Sequence, residues 1–348
     1  MSLPEWSYLH GKPQWSARLK AEPEDFVVIE DLGFEPDGDG EHILVSIRKR
    51  SENTAWVAGL LAKAAGVNRG AVTWAGLKDR HAVTEQWFGI HLPGKDEPDL
   101  SVIENENIQI LKRQRHSRKL RTGALKGNHF RLLLRDLGRN EEIEQRLKAI
   151  AELGVPNYFG EQRFGRNGNN LDGAESLFQG KRIKDRDKRS LFLSAARSYL
   201  FNTVVSERIQ QGLAATLLPG DCLMLTGSNS FFSEPELSDE LLARLTSGDV
   251  RLSAPLWGRG RVASQGAALD FENQALSSYS AWQAGLEAAG LSQERRNLLL
   301  FPQQLSWEWQ DAGLSLSFWL PSGCYATSVV RELVALQQGD VHEDSDQQ

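Results

Sequence analysis

Short stretches of β-branched and aromatic residues alternate with polar positions in the first third of the chain. Asp25–Asp31 and Ile43–Arg48 have this composition, which predicts two strands. The same reasoning predicts further extended segments at Ala71–Gly76, Val83–Leu92, Ile108–Leu111 and His129–Leu134. LKDRHA, between two of these, is predicted to be a loop. The chain therefore begins as a strand-rich domain.

Two helices are predicted among these strands. Asn53 or Thr54 can cap the first helix, Gly66 would end it, and its apolar face would be Val57, Leu60, Leu61 and Ala64. The second begins after Asn140, ends at Gly154, and has Ile143, Leu147 and Ile150 in register. Several strands with a few helices predict an α+β fold with a mixed or largely antiparallel sheet.

The composition changes near Val155. NYFGEQRFGRNGNN, after Pro156, predicts a structured loop, and long helical segments are predicted over Lys188–Gln211 and roughly over Glu272–Leu299. LSWEW and LSLSFWLP, after Phe301, predict strands again. We therefore expect a discontinuous domain, residues 1–154 and 304–348, interrupted by an insertion domain over residues 155–303.

Length and composition narrow the classes of protein. A chain of 348 residues can bury a core without disulfides or structural metal, and its two cysteines, Cys222 and Cys324, form no CxxC pair. The start has no basic segment followed by an apolar one, and no run of about eighteen apolar residues occurs. Neither a signal peptide nor a membrane span is predicted, so the cytoplasm is the expected compartment.

The charges are unevenly distributed along a chain whose net charge is −6. Glu22–Glu41 contains nine carboxylates, whereas Lys112–Arg135 contains none. Basic clusters on an acidic protein indicate a surface that holds a polyanion such as RNA. DNA is possible on charge alone, but no zinc-finger spacing or heptad-bearing basic region supports it. The candidate RNA-binding residues are Lys112, Arg113, Arg115, Arg118, Lys119, Arg121, Lys126, Arg163, Arg166, Lys188 and Arg189.

Most common site motifs are missing from the sequence. It contains no nucleotide-phosphate loop, dinucleotide fingerprint, HExxH, GxSxG or deaminase signature. The seven histidines show no spacing typical of metal ligands. We therefore expect an enzyme without metal or cofactor, in which side chains act as acid, base or nucleophile.

One candidate for such chemistry lies in WAGLKDRHAVTEQW, from Trp74 to Trp87. Asp79 follows a predicted strand and stands between Lys78 and Arg80. RLKAEPEDFVV contains Lys20, and GALKGNHF contains Asn128 and Phe130. Each residue also has an ordinary structural interpretation: Asp79 and Asn128 as turn residues, Lys20 as a surface lysine and Phe130 as part of the core.

Longer strings suggest a family. GLKDRHAVTEQW, GALKGNHF, VPNYFGEQRFG, KRSLFLSAARSYLFN, PQQLSW and FWLPSGCYATSVVREL, which follow one another along nearly the whole chain, resemble the tRNA pseudouridine synthase D family. This family converts uridine 13 of certain tRNAs to pseudouridine. The resemblance implies a circularly permuted pseudouridine-synthase domain with a family-specific α+β insertion, and tRNA as the binding partner.

The resemblance also implies roles for four residues. Asp79 would be the catalytic aspartate, Lys20 the basic residue that pairs with it, and Phe130 the aromatic that stacks on the target base. Asn128 matches a family position in the same loop as Phe130. The carboxylate could attack C1′ as a nucleophile or remove a sugar proton as a base; the sequence leaves both routes open.

Two other interpretations remain. A tRNA-binding protein or chaperone without catalysis would share the basic clusters. A glycoside hydrolase would need two facing carboxylates. Glu22, Glu24 and Asp25 are available, but acids near a strand start are expected to be solvated, and a neutral sugar does not explain the basic clusters. No obligate protein partner is predicted.

Overall fold

The computed structural model describes residues 3–337. Its strands are β1 (Ser16–Ala17), β2 (Phe26–Asp31), β3 (His42–Arg50), β4 (Val72–Trp74), β5 (Val83–His91), β6 (Ile108–His116), β7 (Gly127–Arg135), β8 (Val155–Pro156), β9 (Cys222–Leu225), β10 (Phe231–Ser233), β11 (Val250–Leu256), β12 (Glu294–Asn297), β13 (Leu299–Leu300), β14 (Gln303–Gln310), β15 (Gly313–Pro321) and β16 (Ala335–Leu336). Its α-helices are α1 (Thr54–Ala64), α2 (Glu141–Leu153), α3 (Asn169–Phe178), α4 (Arg186–Gln210), α5 (Asp239–Ser247), α6 (Gly266–Ala275), α7 (Ser280–Ala288) and α8 (Ala326–Leu333). The α+β class is confirmed.

The chain divides into two compact units. The sheet unit contains Pro13–Ala151, Pro302–Ala326 and the described residues of Leu333–Gln348. The helical unit contains the described residues of Met1–Lys12, Glu152–Phe301 and Thr327–Glu332. The bounds of these units differ from those of the predicted domains, and the functional assignment of the domains stays a prediction. The end of the predicted catalytic domain, after residue 337, lies outside the described residues.

The sheet unit is built on an eight-stranded mixed sheet. Its strand order is β14-β15-β7-β2-β5-β3-β6, with β4 paired to β5 beside this path. The central pair, β2 and β5, is parallel, and the other pairs are antiparallel. One face of the sheet is covered by α1, whose Val57, Ala58 and Leu61 pack in one core cluster with residues of β3 and β5.

The two predicted helices of this part of the chain are confirmed. Asn53 is the N-cap of α1, and its side chain accepts hydrogen bonds from the backbone N–H groups of Ala55 and Trp56. Helix α2 buries Ile143, Leu147 and Ile150, the residues that the periodicity placed on one face.

The helical unit is organised around α4, a 25-residue helix that confirms the predicted one. A four-stranded antiparallel sheet, in the order β10-β9-β11-β12, packs beside it. Its core contains large aromatic residues of the loop after β8 and of α4 and α7, namely Tyr158, Phe164, Phe201 and Trp282.

Strands β8 and β13, at the two ends of the segment Glu152–Phe301 of this unit, pair with each other. Val155 lies opposite Leu300, and Pro156 lies opposite Leu299. Gly154 makes this close approach possible because a Cβ atom there would lie 2.7 Å from the Leu300 carbonyl oxygen. A segment whose ends lie side by side is compatible with insertion into another domain.

The predicted helix over Glu272–Leu299 is wrong in its second half. Helix α7 ends at Ala288, and Gly290 adopts a φ of +84°, which suits a glycine but ends a helix. The residues after it form β12 and β13, and β12 pairs with β11. Tertiary pairing overrides helix propensity in this segment. Among the described residues, no helix is both long and apolar enough to span a bilayer.

A buried ion pair provides a stability test of the helical unit. The Arg208 guanidinium forms two contacts of 2.6 and 2.7 Å with the Asp221 carboxylate, and both side chains are 1% exposed. Asp221→Asn leaves the buried guanidinium without its counter-charge. We expect a loss of about 3–5 kcal/mol in the free energy of unfolding, measured by urea denaturation.

The matched control is Asp249→Asn, which breaks the exposed ion pair between Asp249 and Arg244. We expect that change to cost less than about 1 kcal/mol. Equal effects of the two substitutions would contradict the structural role assigned to the buried pair.

Candidate active site

Asp79 lies in the loop that joins β4 to β5. Because these two strands pair with each other, the loop between Trp74 and Val83 folds back beside β5. The Asp79 side chain is 30% exposed, and its Oδ2 accepts a hydrogen bond of 2.8 Å from the Lys20 Nζ. The carboxylate is thus fixed by a charge-assisted bond yet open to solvent.

Lys20 is held from two sides. Its Nζ lies 4.2 Å from the centre of the Phe26 ring, a cation–π geometry, in addition to the Asp79 contact. Its backbone φ is +63°, a left-handed conformation that costs a non-glycine residue about 1–2 kcal/mol. Strain of this kind at a charged residue is typical of functional sites.

The segment after Lys20 is anchored by Asp25, which sequence reasoning expected to be solvated. That expectation is wrong, because Asp25 is fully buried and its carboxylate accepts three hydrogen bonds of 2.8–3.0 Å from Arg135. Its Oδ2 also accepts the backbone N–H of Glu22. Burial is offset here by a bidentate partner on β7.

Phe130 belongs to an aromatic row on the buried face of the sheet. Its ring stacks on Phe318 with centres 5.5 Å apart, and meets Phe26 edge-on at 6.3 Å. Phe26 is the ring beneath the Lys20 ammonium, so the contacts run from Asp79 through Lys20 and Phe26 to Phe130. Phe130 itself is only 7% exposed.

Asn128 lies two residues before Phe130 on the same strand face, opposite Glu30 of β2. It is buried, and its Oδ1 has no hydrogen-bond partner among residues 3–337. The preceding Gly127 is required by packing, since a Cβ atom there would lie 2.3 Å from the Trp319 ring. Asn128 therefore has acceptor capacity to spare beside the aromatic row.

The basic residues of the sheet unit differ in their surroundings. Lys112 pairs with Glu35 at 2.7 Å, and Arg115 donates to the Gly40 and Lys95 carbonyls. Within the described part of the chain, no carboxylate forms an ion pair with the exposed residues of the β6–β7 connection, which are Arg118, Lys119, Arg121 and Lys126. Arg113 is exposed on β6.

The other predicted RNA-binding residues lie in the helical unit. Arg163 is half-buried; it donates to the Ser194 hydroxyl at 3.1 Å and lies 5.7 Å from the Phe159 ring centre. Arg166 is exposed in the following turn. Lys188 and Arg189 are in the first turns of α4, with Lys188 exposed.

Several residues of the site were missed by sequence reasoning. The sequence pattern identifies Phe26 and Phe318 only as strand residues, and Glu30 only as one of many acids. The available signal was alternation: Phe26, Val28 and Glu30 share one face of β2, so a carboxylate occupies an inward position. In the described residues no cluster of His, Cys, Asp or Glu has an arrangement that could hold a metal ion.

The fold defines the class. The structure matches a crystal structure described as that of a tRNA pseudouridine synthase D from Methanosarcina mazei with a TM-score of 0.71, covering 94% of this chain and 95% of that one. Sequence identity between the two is 21%, so this match establishes the fold. The fold is that of a pseudouridine synthase.

Sequence comparison identifies the family. The family model described as "tRNA pseudouridine synthase D (TruD)" matches residues 5–182 and 182–333. Curated proteins named tRNA pseudouridine synthase D from Aeromonas salmonicida and Pectobacterium atrosepticum are 67% and 50% identical to this chain. The alignments cover 97% and 95% of this chain and 96% of each relative. The chain belongs to the tRNA pseudouridine synthase D family, a family of isomerases.

The aromatic row predicts a measurable packing energy. Phe130→Ala would leave a cavity between Phe26 and Phe318, and we expect a loss of about 3–5 kcal/mol in the free energy of unfolding. Phe34→Ala, at a ring that is 41% exposed, is the control and should cost much less. A near-neutral Phe130→Ala in urea denaturation would contradict this assignment.

Proposed function

We propose that this chain isomerises uridine to pseudouridine at position 13 of tRNA, with Asp79 as the reacting carboxylate. The observation on which this mainly rests is the Asp79–Lys20 pair, a partly exposed carboxylate held at 2.8 Å by an ammonium group in a member of this family. The relatives' names specify tRNA as their substrate. The cytoplasm, where tRNA is abundant, is the proposed compartment.

The reaction needs only side-chain chemistry. The C1′–N1 bond breaks, the uracil turns, and a C1′–C5 bond forms, so nothing is oxidised and no group is imported. Asp79 must be ionised either to attack C1′ or to remove a sugar proton. Lys20 fixes the direction of the carboxylate through its hydrogen bond, and Phe26 fixes Lys20 in turn.

The target uridine must leave its stack to reach Asp79, which costs roughly a few kcal/mol. Phe130, backed by Phe318, supplies a rigid aromatic surface against which the base can rest. Asn128, on the same strand face, has a free acceptor at Oδ1 for a donor of the base. The positions of Phe130 and Asn128 on β7 support these two roles, which both residues would take after the base has left its stack.

The exposed β6–β7 connection is the proposed contact with the tRNA backbone. Its cations, Arg118, Lys119, Arg121 and Lys126, precede β7 directly, and β7 contributes Asn128 and Phe130. A phosphate bound there would place RNA next to the strand that faces the target base. The other predicted cations of the sheet unit, those of β6, would extend this contact.

The sheet unit would then be the catalytic domain, since Lys20, Asp79, Asn128 and Phe130 all belong to it. The helical unit would correspond to the family-specific insertion domain, and the permuted strand order to that implied by the resemblance. The bounds predicted from composition, 155–303 for the insertion, approximate the main segment of the helical unit, Glu152–Phe301.

The role of Asp79 can be tested directly. Purified wild type, Asp79→Asn and Asp79→Ala would each be incubated with unmodified tRNA transcript, and pseudouridine mapped by carbodiimide-dependent primer extension. We expect a stop at position 13 with wild type, and none with either variant, because the reacting carboxylate is lost. Asp136→Asn, which removes an exposed carboxylate paired with Arg18, is the control and should keep the stop.

The other outcomes separate the alternatives. If all proteins give the stop, the enzyme assignment stands and Asp79 loses its role. If none does although the tRNA binds tightly, the non-catalytic tRNA-binding interpretation is favoured. A stop at another uridine would contradict position 13.

The RNA contact predicts a salt effect. The double variant Arg118→Glu, Lys119→Glu should weaken tRNA binding and make its dependence on salt concentration shallower, because fewer counterions are released. Filter binding from about 50 to 200 mM salt would measure both quantities. The matched control is Arg139→Glu, Lys148→Glu, which reverses two exposed cations on and near α2. Equal effects of the two double variants would contradict a specific binding surface.

A further inference from the structure

A buried carboxylate lies directly beneath the Asp79 loop. Glu30 is on the central strand β2, and its side chain is 0% exposed. Its Oε1 lies 2.6 Å from the Nζ of Lys78, and its Oε2 accepts the backbone N–H of Trp87 at 2.7 Å. Lys78, the residue before Asp79, is 9% exposed. It is therefore an internal lysine and not a surface cation.

The same loop is fixed by two further side chains. Gln86 of β5 donates from Nε2 to the Gly76 carbonyl at 2.7 Å. The Thr54 hydroxyl, at the start of α1, donates to the Gln86 Oε1 at 2.9 Å and accepts the backbone N–H of Lys78 at 3.3 Å. Backbone groups on both sides of Leu77 are thus attached to the sheet and to α1.

An ion pair of this kind is a poor source of stability. The free energy lost when both charges leave water offsets much of the free energy gained from their attraction. Replacing such a pair by apolar residues of similar size often leaves a protein equally stable. Burial raises the pKa of Glu30 from its ordinary value, although the Lys78 ammonium opposes that shift. The pair occurs beside the Asp79–Lys20 pair of the candidate active site, where geometry is critical.

We infer that Glu30, acting through Lys78 and together with Gln86 and Thr54, is a positioning residue that sets the place of the Asp79 carboxylate. This deepens the proposed function and rests on it. Lys20 contacts the Asp79 carboxylate itself, while Glu30 holds the side chain of Lys78, the residue before Asp79. Lys78, although basic and adjacent to Asp79, is thereby assigned to the protein interior and not to tRNA binding.

Glu30→Gln tests this inference because it keeps the size of the side chain and removes the charge that holds Lys78. We expect the single-turnover rate at saturating tRNA to fall on the order of 10²-fold, as small misplacements of reacting groups do, with the tRNA Kd unchanged within about twofold. A merely structural effect would lower the active fraction or the melting temperature without this division between rate and Kd.

The matched control is Glu85→Gln. Glu85 is a strand carboxylate that pairs with Arg48 at 2.6 Å, and it is one residue from Gln86, on the opposite face of β5. We expect its rate and Kd to stay near those of wild type. If Glu30→Gln also keeps the wild-type rate, or if the control loses as much rate, the inference is wrong.

Two further variants cover other outcomes. If Glu30→Gln does not fold, Thr54→Val replaces it: this change removes only the hydroxyl that links Lys78 to Gln86, and we expect a loss of rate of about tenfold with Kd unchanged. A wild-type rate for that variant would then overturn the inference.

Lys78→Met should likewise lower the rate and leave Kd unchanged; weaker tRNA binding would show that Lys78 contacts RNA.

Asp79→Asn, measured in the same assays, distinguishes the two levels of proposal. If Asp79→Asn turns over tRNA at the wild-type rate, the proposed function of Asp79 fails. If Asp79→Asn is inactive and Glu30→Gln is fully active, the proposed function stands and only the positioning role is lost.

Discussion

Polar side chains on the buried face of a sheet must find partners, and this requirement determines the arrangement of the candidate active site. Glu30 and Gln86 occupy inward positions on the two central strands, where water cannot solvate them. Their partners are Lys78 and the Gly76 carbonyl, both in the Asp79 loop. If the loop left the sheet, the buried side chains of Glu30 and Gln86 would lose these partners, which is energetically costly. Rigidity of the Asp79 backbone follows from the composition of the sheet beneath it.

The opposite side of the site is built on aromatic packing and on one strained residue. Phe318, Phe130 and Phe26 form a row across the sheet, and the Lys20 ammonium lies over the last ring. The left-handed backbone at Lys20 is tolerated because the Asp25–Arg135 contacts hold the segment that follows. Both halves of the Asp79–Lys20 pair are thus attached to the same sheet, which keeps the 2.8 Å contact without help from a ligand.

Local pattern predicted most of the elements but few of the contacts between them. The strands β2, β3 and β5 and the helices α1, α2 and α4 follow from alternation, periodicity and capping residues. The strands β12 and β13 were missed, because their stability comes from pairing with β11 and β8, which are distant in sequence. Asp25 was expected in solvent since its partner, Arg135, is 110 residues away. Likewise, the Asp79 loop can be located from sequence, but Glu30, Gln86 and Thr54 become part of it only through the fold.

The two cations that flank Asp79 show why sequence symmetry is a poor guide to roles. Lys78 and Arg80 are equally close to Asp79 along the chain, and either could bind a phosphate. In the structure, the Lys78 side chain points into the interior toward Glu30, whereas Arg80 is exposed. The cause is the inward carboxylate on β2, which needs a counter-charge, and the Lys78 ammonium of the neighbouring loop supplies it at 2.6 Å. A cation next to the proposed reacting carboxylate can therefore stabilise the loop and also affect catalysis. The contact between Lys78 and Glu30 does both, because it compensates the buried charge of Glu30 and fixes the loop that carries Asp79.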